Sequence, residues 1–293
     1  MSEVIEIKNF TKNFGKLIAV DNISLNVKKG EIFGFLGPNG AGKSTTIRCL
    51  MGFNKPTKGN IKIFGSEVHL TTPKILKKIG YLPGNIQLYD NWTGSEHIRF
   101  FEGIRGRSRI AGDLVSRLDF DKSIKFRYLS SGNKQKLGLI LALMNEPDVL
   151  ILDEPTLGLD PLLQNEIHKI LLELNSKGVT IFISSHNLSE VEKICNKVGI
   201  IKSGKLIVVE EIANLKSRKI HHISAHFKNS ISPKYFSIPG VEIVSILGNT
   251  FEFKVSGDLN NIIRNISAHS LIDLEITHAS LEDIFMKYYE RTE

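Results

Sequence analysis

One segment constrains the fold of this chain more than any other, and it reads Gly37-Pro38-Asn39-Gly40-Ala41-Gly42-Lys43-Ser44-Thr45. It satisfies the pattern G-x-x-x-x-G-K-S/T, and it lies between a predicted strand at residues 31–36 and a helical pattern at residues 42–51. Glycines let the backbone N–H groups face a phosphate, and the helix N-terminus adds positive potential. Lys43 then reaches the outer phosphate oxygens, and Ser44 offers its hydroxyl to Mg²⁺. The segment predicts a nucleotide-binding α/β protein.

A second motif places two acids after an apolar strand. Residues 149–152 read Val-Leu-Ile-Leu, and Asp153 and Glu154 follow them directly. An apolar strand that ends in acids is common, so the motif is weak when it stands alone. After a phosphate-binding loop it predicts hydrolysis, with Asp153 in the Mg²⁺ shell and Glu154 taking a proton from the attacking water.

Two further polar segments are candidates for phosphate contacts. His186 follows a predicted strand at residues 179–183, where a polar side chain is either a γ-phosphate contact or part of a capping loop. Ser130 precedes a helical run at residues 134–144, so Ser130 and the following amides form a helix N-terminus, which is a second anion site. Because the chain has one nucleotide loop, the second anion site suggests another copy's nucleotide and hence a dimer.

Composition narrows the class of protein. The chain has 293 residues, of which 41% are apolar and 24% charged, as in globular proteins with one large domain or one large and one small. Its longest apolar run is residues 137–144, far short of the roughly 18 to 20 residues that cross a bilayer. The N-terminus lacks the pattern of a secretory signal, and Cys49 and Cys195 fit buried thiols in a reducing compartment. We therefore expect a cytoplasmic protein.

The order of predicted elements indicates two domains. Strands are predicted at residues 4–7, 18–27, 61–64 and 80–82, and helical periodicity without a strand runs from about 93 to 145. After about residue 217 the pattern changes to short strands at 222–227, 241–246, 251–255 and 271–276, with helices at 259–266 and 281–288. Ser280 with Asp283 would cap the last helix. We interpret His221, His222 and His226 as histidines of a strand rather than metal ligands.

These motifs, in this order and spacing, resemble the ATP-binding cassette (ABC) family of transport ATPases over about residues 3–216. The resemblance implies an α/β P-loop NTPase of the ABC type at 1–216, with an inserted helical subdomain at about 85–145 and a small C-terminal α+β domain at 217–293. It further implies that Phe14 stacks on adenine, that residues 37–45 bind the phosphates of ATP, and that His186 is the switch histidine. Asp153 and Glu154 keep the roles given above.

The resemblance also implies a homodimer that shares two ATP molecules. The signature loop would be Ser130, Ser131, Gly132 and Asn133, which would touch ATP held by the opposite subunit, and Asp160 would contact the partner. The family usually has Gly and Gln where this chain has Ser131 and Asn133. Its glutamine after the strand at residues 80–82 is replaced by Gly84, and Gln87 is a possible substitute as a metal ligand.

Residues 279–285 look like the tail of cassettes that serve two-component exporters of the drug, antibiotic and peptide type. We therefore expect the chain to bind and hydrolyse ATP in order to drive a separate membrane permease, in the direction of export. The permease would dock on residues 84–101, with Tyr89 and Trp92 as candidate contacts, and it would hold the chain on the inner face of the cell membrane.

Two other functions are consistent with parts of the sequence. A cassette ATPase without a permease could act on DNA or ribosomes, but such relatives usually carry a long coiled-coil insertion or two cassettes in one chain. This chain has neither feature, so we expect no nucleic acid partner. A nucleotide-binding regulator that does not turn over would lack the base or the switch residue, whereas Glu154 and His186 are both present.

Overall fold

The computed structural model describes residues 2–68, 73–217 and 220–278. These residues form two compact units, which divide between Glu210 and Glu211. The sequence predicts the domain boundary near 217. The predicted helix at 281–288, its cap by Ser280 and Asp283, and the exporter-like tail lie outside the described residues.

Two sheets build the N-terminal unit. One has four strands in the order β2-β1-β4-β5, and the other has six in the order β10-β9-β3-β8-β7-β6. In the first, β1 is Glu3–Phe14, β2 Leu17–Lys28, β4 Lys58–Ile63 and β5 Ser66–Glu67. In the second, β3 is Ile32–Leu36, β6 Ile79–Leu82, β7 Val149–Asp153, β8 Thr180–Ser185, β9 Lys197–Lys202 and β10 Lys205–Glu211.

The six-stranded sheet explains the continuous apolar runs of the sequence. Strands β3, β7 and β8 are buried at every residue, as expected when parallel strands are covered on both faces. β8 pairs in parallel with β3 on one side and with β7 on the other. The segments that follow these three strands therefore meet at one edge of the sheet, and they contain the phosphate-binding loop, Glu154 and His186.

The first strand is longer than the sequence predicts. The prediction ended this strand before Asn9, but β1 continues to Phe14. Asn9 has a φ of 50°, its N–H donates to Ser24 Oγ at 2.9 Å, and the pairing register shifts between Ile7 and Phe10. Asn9 is thus an irregularity inside the strand rather than its end. The extension carries Phe14 towards the phosphate-binding loop.

The helices of the N-terminal unit include three in the stretch predicted to be a helical subdomain. These three are α3 at Gly94–Arg105, α4 at Ala111–Arg117 and α5 at Ser131–Leu143. Thr93 and Glu96 form a capping box at the start of α3, and the backbone hydrogen bond from Thr93 lowers the pKa of Glu96. The other helices are α1 at Lys43–Leu50, α2 at Pro73–Leu76, α6 at Pro161–Ser176 and α7 at Leu188–Ile194.

The C-terminal unit is an α+β fold. It begins with α8 at Ile212–Ser217 and contains an antiparallel sheet in the order β12-β13-β11-β14. Its core joins phenylalanines of the sheet to Ile262 and Ile266 of α9. The elements are β11 at Ile220–Phe227, β12 at Val241–Leu247, β13 at Thr250–Ser256, α9 at Asn260–Ser267 and β14 at Leu271–His278. The described part of the chain contains no helix long and apolar enough to span a membrane.

Candidate functional site

A pocket of about 500 Å³ lies at the phosphate-binding loop. Its walls are the loop and the start of α1, the exposed side of Phe14 with the neighbouring residues 17–19, and Glu154. Ser203 and Gly204 complete the lining. An exposed aromatic residue, the glycine-rich loop and an acid thus face one cavity, which is large enough for a nucleotide.

The shape of the loop depends on two of its glycines. A Cβ atom on Gly37 would lie 2.3 Å from the carbonyl oxygen of Ile201, so the close approach of two backbones leaves no room for a side chain. Gly42 has a φ of 110°, in the region that favours glycine, and its Cβ would lie 2.7 Å from the Ala19 oxygen. Gly37 and Gly42 are therefore required by geometry, as the motif predicts.

Lys43 is the buried cation of the pocket. Only 6% of its side chain is exposed, and Nζ donates to the carbonyl oxygens of Gly37 at 2.6 Å and Pro38 at 3.2 Å. Nζ also lies 3.1 Å from Glu154 Oε1. The ammonium group is thus fixed inside the curve of the loop, beside the acid that the sequence predicts to be the base.

Glu154 is held from a second side by His186. Nδ1 of His186 lies 2.8 Å from Glu154 Oε2, and the His186 N–H donates to the same oxygen at 3.4 Å. Glu154 has a φ of 52°, a left-handed conformation that is uncommon for a residue with a side chain. Lys43, Glu154 and His186 therefore form one connected group, although they come from three separate segments.

Asp153, the predicted metal ligand, lies behind Glu154. Its side chain is buried, and Ser184 Oγ donates to Oδ1 at 2.6 Å. A Cβ atom on Gly84 would lie 3.0 Å from Oδ2, so the position where the family has glutamine adjoins this carboxylate. Burial raises the pKa of the nearby Tyr81, and the charge of Asp153 adds to this effect. Gln87 lines a different pocket, of about 350 Å³, and its metal role stays a prediction.

The signature-loop residues lie at the start of α5. Ser130 is the N-cap, and its Oγ accepts from the Asn133 N–H at 3.3 Å, as predicted for a helix cap. Ser131 and Gly132 form the first turn of the helix. Neither these residues nor Ser130 line the phosphate-loop pocket of their own chain. Their contact with a nucleotide of another copy stays a prediction.

Asp160 caps the next helix rather than reaching into the pocket. Its Oδ1 accepts from the backbone N–H groups of Leu162 and Leu163 at 3.0 Å each, which fixes the start of α6. The side chain is exposed, and so is the neighbouring Leu162. A contact of Asp160 with a partner subunit stays a prediction.

Sequence reasoning missed three buried polar residues that support the site. Gln135 Nε2 donates to the backbone carbonyls of Glu154 at 3.1 Å and Pro155 at 3.0 Å. The Glu190 carboxylate accepts from the hydroxyl groups of Ser185 at 2.6 Å and Thr156 at 2.7 Å. Ser184 is the third. The sequence does contain a signal for such residues, namely a polar residue within an apolar strand or on the apolar side of a helix. A polar group that is buried in this way is usually hydrogen-bonded to a neighbouring segment.

The fold and the pocket define the class of protein, a P-loop nucleotide-binding protein. The family model for ABC transporters matches residues 20–157. The bacitracin transport ATP-binding protein BcrA of Bacillus licheniformis is 35% identical over 98% of this chain and 97% of its own length. The linearmycin resistance ATP-binding protein LnrL of Bacillus subtilis is 31% identical over 99% of each chain. The chain therefore belongs to the ABC transporter family of ATP-binding proteins.

Other similarities cover the N-terminal unit. The probable multidrug ABC transporter ATP-binding protein YbhF of Escherichia coli is 39% identical over 73% of this chain, which spans only 38% of YbhF. A solved ATP-binding subunit of an ABC transporter superposes with a TM-score of 0.67 at 28% identity, over 73% of this chain and 92% of that one.

A dimeric ATP-binding cassette in a post-hydrolysis state, bound to ADP and Pi, has a TM-score of 0.64 at 25% identity over 71% of this chain and 98% of its own. Together, the family match and the two solved cassettes confirm the predicted ABC family of ATP-binding proteins and the ABC-type P-loop fold.

Proposed function

We propose that this chain hydrolyses ATP as the motor subunit of an exporter, dimerising around two ATP molecules and driving a separate membrane permease. The observation that carries the proposal is the contact of Glu154 with both Lys43 and His186 at the wall of the pocket. A carboxylate next to the phosphate-binding lysine is where a base for the hydrolysis of the γ-phosphate has to be.

The contacts of Lys43 suggest how ATP prepares the base. Its ammonium donates to two loop carbonyls and forms an ion pair with Glu154 Oε1, and the phosphate oxygens of ATP compete for the same cation. When the phosphates take Lys43, Oε1 becomes free to accept a proton, while His186 retains Oε2. The water oxygen then bonds to the γ-phosphorus, the bond to the bridging oxygen of ADP breaks, and Glu154 takes the proton of the water.

The donors present fit Mg²⁺, which prefers oxygen ligands and usually binds through one or two protein groups together with phosphates. Ser44 is exposed to the pocket, and Asp153 is a buried carboxylate whose Oδ1 is fixed by a hydrogen bond. These two residues would hold the ion, which neutralises charge on the phosphates when it is bound. Ser44 lies in the loop itself, so ion and phosphates share one site.

Phe14 supports recognition of the base by stacking. Phe14 is 47% exposed and lines the pocket, and Lys12 Nζ lies 4.9 Å from its ring centroid. Lys12 is itself tied to the carbonyl of Lys55 at 2.9 Å. The ring is thus restrained beside the phosphate loop, where an adenine can stack on it.

A nucleotide-sandwich homodimer is the arrangement that uses the remaining motif residues. Ser130 begins a helix of 13 residues whose N-terminus does not face the pocket of its own chain. A second copy would bring this N-terminus to the γ-phosphate, where backbone N–H groups and the helix dipole favour negative charge. A solved cassette that is dimeric supports a dimer of this chain. In the proposed dimer, Asp160 would contact the partner subunit.

The apolar pocket near residues 84–101 supports docking of the permease. It has a volume of about 350 Å³, and its lining includes Ile86, Leu88 and Phe101. Tyr89 is 58% exposed beside Trp92, and its backbone N–H donates to His97 Nε2 at 3.1 Å. An amphipathic helix of a permease would fill such a groove, and this docking would hold the chain on the cytoplasmic face of the membrane.

The names of BcrA and LnrL support export of an antibiotic or a similar compound. Those names concern bacitracin transport and linearmycin resistance, and both proteins align over nearly the full length of this chain. Selectivity for the cargo would reside in the permease. A cassette without a permease that acts on DNA or ribosomes has no observation in its favour here.

Light scattering of the Glu154→Gln protein, with and without ATP and Mg²⁺, tests the proposal. The amide keeps the shape of the side chain, so we expect ATP to bind and to convert monomers into a stable dimer. Phosphate release by the wild-type chain is measured in parallel. A wild-type protein that binds ATP and releases no phosphate, alone or with its co-expressed permease, would overturn the proposal.

A further inference from the structure

We infer that Ser184 is a positioning residue, whose single hydroxyl group sets both the metal-binding and the proton-accepting carboxylate. This inference deepens the proposed function and rests on it. Ser184 is fully buried near the end of β8, and in the register of the sheet it is the direct partner of Asp153. It therefore contacts neither ATP nor water in the pocket, and it acts only through its neighbours.

The hydroxyl group of Ser184 makes two hydrogen bonds at once. It donates its proton to Asp153 Oδ1 at 2.6 Å, and it accepts the N–H of Glu154 at 3.1 Å. A hydroxyl has one proton to donate and two lone pairs to accept with, so both bonds are compatible. The carbonyl oxygen of Ser184 also accepts the Glu154 N–H, at 3.2 Å. Ser184 thus restrains two successive acidic residues.

The bond to Glu154 supports an unfavourable backbone conformation. Glu154 has a φ of 52°, and this dihedral angle directs its side chain towards Lys43 and His186. Such a conformation persists only where its surroundings hold it. Ser184 holds the N–H side of the residue, and Gln135 holds the carbonyl side at 3.1 Å. Loss of the hydroxyl group would leave the Glu154 N–H with the Ser184 carbonyl as its acceptor and would loosen the position of the base.

The bond to Asp153 selects the oxygen that remains for a cation. Oδ1 receives the Ser184 proton, whereas Oδ2 is directed towards Gly84, whose Cβ would lie 3.0 Å away. Because Gly84 has no side chain, it leaves space beside Oδ2. The hydrogen bond at Oδ1 prevents the carboxylate from rotating, and outer hydrogen bonds of this kind commonly tune metal affinity and activity by about 10- to 100-fold.

A purely structural role would be the ordinary alternative for a buried serine. In that case loss of the hydroxyl would lower stability without changing the chemistry. Thr180 offers a matched control because it lies on the same strand, is also buried, and accepts the Gly30 N–H at 3.0 Å away from the acids. Thr180→Val removes a buried hydroxyl group without touching Asp153 or Glu154.

The test compares Ser184→Ala with Thr180→Val and the wild-type protein. We expect Ser184→Ala to lower kcat about 10-fold or more while the KM for ATP changes less than about twofold. Mn²⁺ binding to the ATP-loaded protein, followed by electron paramagnetic resonance, should weaken about 10-fold in this variant. Thr180→Val should leave both quantities at the wild-type values. Equal kcat and equal Mn²⁺ affinity in the Ser184→Ala and wild-type proteins would overturn the inference.

A second pair of variants covers the case in which Ser184→Ala does not fold. Ser184→Thr and Ser184→Val have nearly the same shape and differ in the hydroxyl group, so the threonine variant should have the higher kcat and Mn²⁺ affinity. No difference between them would contradict the inference. If the wild-type chain releases no phosphate, the proposed function fails, while Mn²⁺ affinity still reports on Ser184.

Discussion

The ammonium of Lys43 lies 3.1 Å from Oε1 of Glu154. The lysine of the phosphate-binding loop thus directly contacts the glutamate that follows β7. Both side chains are largely buried, with 6% and 14% exposed, so their interaction is poorly screened by solvent. In the proposed mechanism, nucleotide binding and proton transfer are therefore coupled through this ion pair.

Glu154→Gln should retain ATP binding and lose turnover. The amide keeps the volume of the side chain but cannot accept the proton of the water, so kcat should fall by about 10² to 10⁴, the usual contribution of a positioned base. Phosphate release and equilibrium ATP binding check the two parts separately. Glu3→Gln, at an exposed site on β1, is the matched control and should behave as wild type. Wild-type turnover in Glu154→Gln would remove Glu154 from its role.

Gln135→Ala should impair both stability and turnover. It leaves the buried carbonyls of Glu154 and Pro155 without their side-chain donor, which costs about 1 to 3 kcal/mol in unfolding free energy. Because the Glu154 carbonyl also loses its restraint, kcat should decrease. Gln164→Ala is the control, since Gln164 likewise donates to two carbonyls, those of Thr156 and Leu159. Urea unfolding and phosphate release distinguish the variants; a kcat loss no larger than that of Gln164→Ala would contradict this prediction.

Arg117→Ala should loosen the attachment of α4 to α6. The guanidinium donates to Glu166 at 2.7 Å and to both oxygens of Glu173 at 2.6 and 2.9 Å, and these contacts raise its pKa. We expect the unfolding free energy to fall by at most about 1 kcal/mol, because the ion pairs are partly exposed to solvent. Arg117→Lys should restore only part of this loss, because lysine lacks the planar guanidinium group that donates two parallel hydrogen bonds. Lys169→Ala, which removes a surface pair with Glu166, should change stability by less than about 0.5 kcal/mol. Equal effects of Arg117→Ala and Lys169→Ala in urea unfolding would contradict the assignment.

The stabilisation by Arg117 should depend on pH in a defined direction. The hydrogen bond from Arg117 lowers the pKa of Glu173 below its usual value. A depressed pKa in the folded state means that the stability is fully present above the ordinary glutamate pKa of about 4.3 and is lost as pH falls through the lowered value. The difference in unfolding free energy between wild type and Arg117→Ala should thus be constant near pH 7 and shrink below about pH 4. A difference that grew on acidification would refute this.

Both thiols should be unreactive in the native protein. Burial raises the pKa of Cys49 to about 11, and burial, with the charge of Glu190 as a smaller cause, raises that of Cys195. Since the thiolate is the reactive form, a disulfide reagent at pH 8 should react slowly with the folded chain and rapidly with both cysteines in urea. Fast reaction of either thiol without denaturant would contradict the burial of that residue.

Local patterns in the sequence were sufficient for the phosphate-binding loop, the acids after β7 and the P-loop class of fold. Each of these motifs is made of residues that are adjacent in the chain: glycines and a lysine in the loop, and an apolar run followed by two carboxylates. The sequence by itself therefore determined these features. Tertiary structure alone decided the bonds of Ser184, the restraint of Glu154 by Gln135 and the placement of Gly84 against Asp153. These contacts depend on the order β3-β8-β7, since hydrogen bonds between distant segments form only after the strands are aligned.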